Sequence, residues 1–246
     1  MQETRWPEFQ EANLKSWHLQ VDTHGVDDGF IFAAIDEPIE NKLKLRISLS
    51  GGDEMTYDLN NDGVFELFTL TQGSGYYTVK LYSNVAAKSY TEIGQVNFYA
   101  NLSDQDSPFY IPNQYVNYSK DSKIVQVASE LAKGKTDKQY FEAVKNYIHS
   151  NFAYDFIKAV TRTAGMRPEI DVSLNKCMGI CQDLSAIVVA MLRSQGIKSK
   201  LVIGYADNHY HAWTVSEIDG KDVMYDPTVD IYAKNEVSEY TVERVY

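Results

Sequence analysis

Residues 177–197 read CMGICQDLSAIVVAMLRSQGI, and this stretch decides how the second half of the chain is organised. Leu184, Ile187, Val188, Met191 and Leu192 recur at helical spacing and Gly196 supplies a stop, so the spacing predicts a helix from Cys181 to Gln195. Cys181 then stands in the first turn, shortly after Gly179. Backbone N–H groups there lack an intrahelical partner, and the positive end of the helix dipole stabilises negative charge on sulfur. The position suits a nucleophile, and the same N–H groups suit the oxyanion formed when sulfur attacks a carbonyl.

Upstream, Ile124, Val127, Ala128 and Leu131 keep helical spacing up to Gly134. Thr136 with Gln139 predicts a capping box opening a second helix through Tyr140, Val144, Tyr147 and Ile148. Downstream the period becomes that of strands: Lys200 to Tyr205, Tyr210 to Ser216 and Val223 to Tyr225, the last two joined at Asp219-Gly220. This half reads as α+β, helices first and an antiparallel sheet after.

The first half has a two-residue period. Leu43, Leu45, Ile47 and Leu49 alternate with polar residues, as do Tyr77, Val79 and Leu81, and turn signals stand at Gly51-Gly52, Asp62-Gly63 and Gly73-Ser74-Gly75. Strands at this spacing with no helical pattern between them suggest an antiparallel β-sandwich. The stretch from Ser103 to Tyr118, with Pro108 and Pro112, has the composition of a linker.

Composition narrows the function classes. A chain of 246 residues with 44% hydrophobic and 23% charged residues is globular. Its net charge of -11 and lack of a Lys/Arg cluster argue against a nucleic-acid partner. The longest apolar runs, Phe30 to Ile35 and Ala186 to Leu192, are too short to span a bilayer. The opening MQETRWPEFQ carries neither the basic nor the apolar region of a signal peptide, so secretion requires one already removed. Cys177 and Cys181 are the only cysteines, too few for a disulfide framework and lacking the second ligand pair of a structural zinc site.

A sulfur nucleophile works with an imidazole that moves the proton and an acceptor that orients the imidazole. His211 lies mid-strand and Asp226 ends the next one, so antiparallel pairing can place them side by side. Strand alternation puts His209 on the same face as His211, and spacing alone leaves both open.

The blocks Gly179-Ile180-Cys181-Gln182-Asp183-Leu184-Ser185, Met191-Leu192-Arg193 with Gly196-Ile197, Gly204-Tyr205, His211-Ala212-Trp213 and Asp226-Pro227-Thr228 resemble, in order, the transglutaminase-like superfamily. The resemblance covers roughly residues 119 to 230, and Tyr154-Asp155 is similar to its opening segment. It implies a papain-like arrangement with catalytic Cys181, His211 and Asp226, favours His211 over His209 because its histidine precedes Ala-Trp, and implies no cofactor. Leu184 and Ser185 depart from the usual aromatic and small residues, and a Trp often found before the Asp is missing; these bear on pocket shape. The first half loosely resembles the immunoglobulin-like modules that precede such domains in bacterial surface or secreted proteins. The expected organisation is an extension over 1–16, an immunoglobulin-like sandwich over 17–110, a linker over 111–118 and the catalytic domain over 119–246.

Blander readings stand beside these. Cys181 taken alone reads as a packed thiol and Asp226 before Pro227 as a turn residue. Cys177 reads as a bystander, a wall of the site, or the partner of a disulfide that silences Cys181. Tyr154 is a candidate oxyanion donor or a core aromatic. Asp58 to Gly63 matches the first half of a calcium loop, but Thr69 stands where the bidentate Glu belongs, so an Asn/Asp-rich hairpin turn and no metal requirement are expected. The expected function is thioester-forming acyl transfer on peptide or protein amides, with hydrolysis favoured slightly over amine transfer. The substrate would include cell-wall or surface proteins, and the location would be secreted or at the cell surface. The competing reading is a surface binding module with a vestigial triad, motivated by the sandwich and the 18 tyrosines.

Overall fold

The computed structural model describes residues 4, 6–163, 165–232 and 237–246. Its contacts divide it into two units, Pro7–Pro108 and Phe109–Tyr246, with Thr4 and Trp6 belonging to the second.

The first unit has eight strands: β1 Leu14–Ser16, β2 Leu19–Asp22, β3 Phe30–Ile35, β4 Leu43–Leu49, β5 Glu54–Leu59, β6 Glu66–Thr69, β7 Gly75–Ala86 and β8 Ser89–Ala100. They form two antiparallel sheets, ordered β1-β2-β3-β6 and β5-β4-β7-β8. Alternation buries Leu19, Val21, Ile31 and Ala33 from one sheet and Leu45, Ile47, Val79 and Leu81 from the other. Tyr57 meets Phe68 edge-on across the sheets at 5.1 Å between ring centroids. A side chain at Gly94 of β8 would sit 2.6 Å from the Leu19 Cβ and the Ser16 main-chain oxygen, so glycine is what lets the β1–β2 hairpin cross β8. The turn at Asp62-Gly63 joins β5 to β6, which lie in different sheets, instead of closing a hairpin. The Asp62 carboxylate accepts the Val64 N–H at 2.9 Å, and such a local bond turns the chain.

The second unit runs α1 Lys123–Ala132, α2 Asp137–Asn151, β9 Ala153–Tyr154, α3 Phe156–Thr161, α4 Ile170–Lys176, β10 Met178–Gly179, α5 Cys181–Arg193, β11 Ser199–Ala206, β12 His209–Ile218, β13 Lys221–Tyr225, α6 Pro227–Ile231 and β14 Tyr240–Val245. The capping box is present: Thr136 Oγ1 accepts from Gln139 N at 3.3 Å, and Gln139 Oε1 accepts from Thr136 N at 3.0 Å. The antiparallel sheet has the order β13-β12-β11-β14. Its last strand, which the sequence reading did not assign, takes the free edge of β11.

Helix α5 is the centre of this unit. Every one of its 13 residues is buried, including the polar Gln182, Asp183, Ser185 and Arg193. Leu184, Ile187, Val188 and Leu192 are fully buried, each contributing about 2 kcal/mol by area removed from water. Its polar residues are satisfied. Ser185 Oγ donates to the Ala212 carbonyl at 3.1 Å, tying the helix to β12. Arg193 donates to the carbonyls of Ser199, Ile111 and Tyr246 at 2.7 to 2.8 Å. Burial pulls its guanidinium down to about 10, still charged at neutral pH. Ile111 and Val116, within the stretch read as a linker, are buried in this unit.

Candidate active site

The start of α5 is set by its own residues. Asp183, fully buried, accepts the Ile180 N–H at 3.0 Å, which fixes the turn immediately before Cys181. A Cβ on Gly179 would stand 2.8 Å from the Asp183 Cβ, so only glycine lets the carboxylate reach back. Asp183 also accepts from Glu169 N at 3.1 Å and from Lys158 Nζ at 3.0 Å. Burial weakens the Lys158 charge, but the Asp183 and Glu169 carboxylates outweigh it and hold the ammonium above its ordinary value. The chain entering the helix is pinned by parallel pairing of β10 with β9, Met178 opposite Ala153 and Gly179 opposite Tyr154.

His211 lies on β12 opposite Gly204 of β11. The β11–β14 register shifts between Ile203 and Gly204, and a Cβ at Gly204 would collide with the Thr241 carbonyl oxygen, so β14 closes over the glycine. Asp226 follows β13 and caps α6, with Pro227 in the first turn. Its Oδ1 accepts the Thr228 and Val229 N–H groups at 2.9 and 3.1 Å. Its Oδ2 faces His211 Nε2 at 2.7 Å and accepts the Tyr240 hydroxyl at 2.9 Å. The turn-residue and orienting readings of Asp226 therefore describe one side chain.

Cys181 lies within electrostatic reach of the His211 ring. With Nε2 on Asp226, Nδ1 is the ring atom left for the thiol. Burial alone would lower the charged ring; the Asp226 carboxylate and Cys181 outweigh it and push the imidazole up to about 9. Cys181 is 6% exposed. Trp213, two positions along β12, lies parallel to the His211 ring at 6.5 Å, and Tyr240 meets Trp213 edge-on at 4.9 Å.

His209 is exposed at the start of β12, and the structure places His211, not His209, on Asp226. Cys177 is an exposed free thiol ending α4 in the left-handed conformation at φ 51°, and Cys181 is free as well. Tyr154 stacks on Tyr232 at 5.6 Å and lies within electrostatic reach of Cys181; burial first, then that charge, raises its phenol. Sequence reasoning missed Tyr240 and Lys158. Alternation in Tyr240–Val245 was a usable signal for the first; nothing local marks the second.

Residues 125–227 match the sequence model of the transglutaminase-like superfamily. An uncharacterized protein of Mycobacterium leprae is 24% identical over 190 residues, covering 72% of this chain; this chain spans 64% of that protein's length. Among solved structures, a proposed cysteine protease from Cytophaga hutchinsonii superposes with TM-score 0.44 and 17% identity, over 81% of this chain and 71% of that one. Red sea bream transglutaminase superposes with TM-score 0.36 and 11% identity, over 83% of this chain and 48% of that one.

Proposed function

With residues 125–227 forming a domain of the transglutaminase-like superfamily, we propose that this chain is a thiol-dependent acyl-transfer enzyme acting on amide bonds of peptides or proteins. The observation that carries the reading is His211, held at 2.7 Å by Asp226 through Nε2 and within electrostatic reach of Cys181. A cysteine, an imidazole and a carboxylate in that order move a proton to and from sulfur while the carboxylate fixes the ring.

The Cys181 sulfur attacks the amide carbonyl and the C–N bond breaks as His211 gives its proton to the departing amine. A thioester remains on Cys181. Main-chain N–H groups at the start of α5 receive the oxyanion, with the Tyr154 hydroxyl as a second donor. His211, now neutral, takes a proton from the second nucleophile, which attacks the thioester, breaks the C–S bond and releases the Cys181 thiolate beside the recharged imidazole. Water gives hydrolysis and an amine gives transfer. Hydrolysis is favoured slightly, because water reaches any thioester that is not shielded. The substrates are peptides or proteins met outside the cytoplasm, the chain being secreted or held at the cell surface; recovery of the native protein only from the cytoplasmic fraction would overturn that location.

The test is mass spectrometry of a Gln-containing protein incubated with the enzyme and a primary amine, with Cys181→Ala as control. Amine adducts, cleaved bonds or deamidation, each lost in the control, support the reading and name the acceptor. No Cys181-dependent change refutes it.

A further inference from the structure

Beside the triad lies an open cleft of about 220 Å³, smaller than the roughly 300–1,000 Å³ of drug-sized ligand sites and fit for one residue-sized group. Its lining includes Gln182, the residue after the nucleophile, and Tyr210, the residue before the catalytic histidine. Ile203, Gln182 and Tyr246, all buried, make its floor. Arg162 and Arg244, both exposed, stand at its rim, and no Asp or Glu is among the described residues that line it.

The two arginines are held in place. Arg162 lies over the Tyr210 ring at 5.7 Å. Arg244 hydrogen-bonds Tyr246, whose ring stacks on Tyr115 at 4.0 Å. Among the described residues neither arginine makes an ion pair with a carboxylate. Two guanidinium groups gather at this one cleft in a chain of net charge -11. Guanidinium presents planar paired donors that match a carboxylate. Tyr210 and His211 are neighbours on a strand, so their side chains leave opposite faces. The cleft thus lies across β12 from the His211 side chain and adjoins the nucleophile through Gln182, which directly follows Cys181 at the start of α5.

We infer that this cleft is a specificity subsite for a carboxylate carried on the acyl donor within a residue or so of the attacked bond, with Arg162 and Arg244 as its recognition residues. The inference rests on Cys181 being the nucleophile. The carboxylate belongs either to an acidic side chain or to a free chain end, and the chemistry at the cleft is the same.

Three alkylating probes separate these sources: N-iodoacetyl-glutamine amide, which is neutral; N-iodoacetyl-glutamate α-amide, with a side-chain carboxylate; and N-iodoacetyl-glutamine, with a free α-carboxylate. Labelling of Cys181 is followed by mass spectrometry. At least one charged probe is expected to react roughly tenfold faster than the neutral one, the size of a charge-assisted hydrogen bond. The faster of the two names the source. Arg162→Gln and Arg244→Gln each bring the charged-to-neutral ratio toward unity; both positions are exposed, so neither change threatens the fold. Equal rates for all three probes, or a ratio that neither substitution alters, overturns the subsite. Iodoacetamide run alongside tells the two failures apart. If it labels Cys181 no faster than a free model thiol, the nucleophile reading fails and takes the subsite with it; if it labels fast, equal probe rates count against the subsite alone.

Discussion

Nε2 of His211 lies 2.7 Å from Oδ2 of Asp226, and this contact assigns the two ring nitrogens different work. Nε2 faces the carboxylate, which leaves Nδ1 as the ring atom able to serve the thiol. Asp226 is itself immobilised by two backbone N–H groups and the Tyr240 hydroxyl, so every acceptor direction of the carboxylate is used. Little freedom is left for the ring to turn away.

The pH behaviour follows from that arrangement. Burial opposes the charged ring, but Asp226 and Cys181 outweigh it and raise His211 from 6.5 to about 9. Because the folded value is raised, the stabilisation it gives is complete below about pH 6.5 and disappears as pH rises through about 9. Proton NMR titration, with the His211 signal identified by its absence in His211→Gln, is expected to give a midpoint well above that of an exposed histidine. In Asp226→Asn the midpoint drops by more than one unit, since the opposing carboxylate charge is gone and burial remains. An unchanged midpoint in that variant would mean Asp226 is not what holds the proton.

Tyr240 comes from a strand at the far edge of the sheet, yet its hydroxyl reaches the Asp226 carboxylate at 2.9 Å. Tyr240→Phe keeps the ring against Trp213 and removes one hydrogen bond, so its cost to stability is only about 1 kcal/mol. Its larger expected effect is on kcat, a several-fold loss with KM little changed, because the ring it helps orient acts in the transition state. A loss confined to KM would place Tyr240 in substrate binding instead.

How much of this was legible in the chain depended on where the physical signal resided. Helices α1, α2 and α5 announced themselves through apolar periodicity and, for α2, reciprocal capping by Thr136 and Gln139, all local properties. Helices α3, α4 and α6 are too short to carry a period, and Phe156, Ile157 and Val160 of α3 are exposed, so its apolar residues mark no inner face. The choice of His211 over His209 was beyond spacing because both share a face; burial next to Asp226 separates them. Lys158 and Tyr240 act on Asp183 and Asp226 across 25 and 14 positions of chain, a relation only the fold creates.

Tyr154 can be tested separately from the nucleophile. An oxyanion forms only when sulfur attacks a carbonyl, and alkylation by iodoacetamide forms none at sulfur's target. Tyr154→Phe is therefore expected to lower turnover of an amide substrate by roughly tenfold to a hundredfold while leaving the iodoacetamide rate within about twofold of wild type. If both rates fall together, the phenol supports the thiol or the local packing on Tyr232 and is no oxyanion donor.

The start of α5 offers a test that separates architecture from chemistry. Asp183 is fully buried, and its charge is balanced by Lys158 Nζ at 3.0 Å in addition to the N–H groups of Ile180 and Glu169. Lys158→Met keeps the length of the side chain and removes its charge, leaving a buried carboxylate with backbone donors alone. A broken buried pair of this kind costs about 3 kcal/mol, whereas removing both charges costs far less. Urea denaturation should therefore find Lys158→Met strongly destabilised and the double variant Lys158→Met, Asp183→Asn partly restored. The same carboxylate holds the Ile180 N–H, so the single variant is also expected to slow labelling of Cys181 under conditions where the protein is still folded. If Lys158→Met stays within about 0.5 kcal/mol of wild type, as surface substitutions do, the pair is not what fixes the nucleophile's turn, and the backbone bonds to Asp183 suffice.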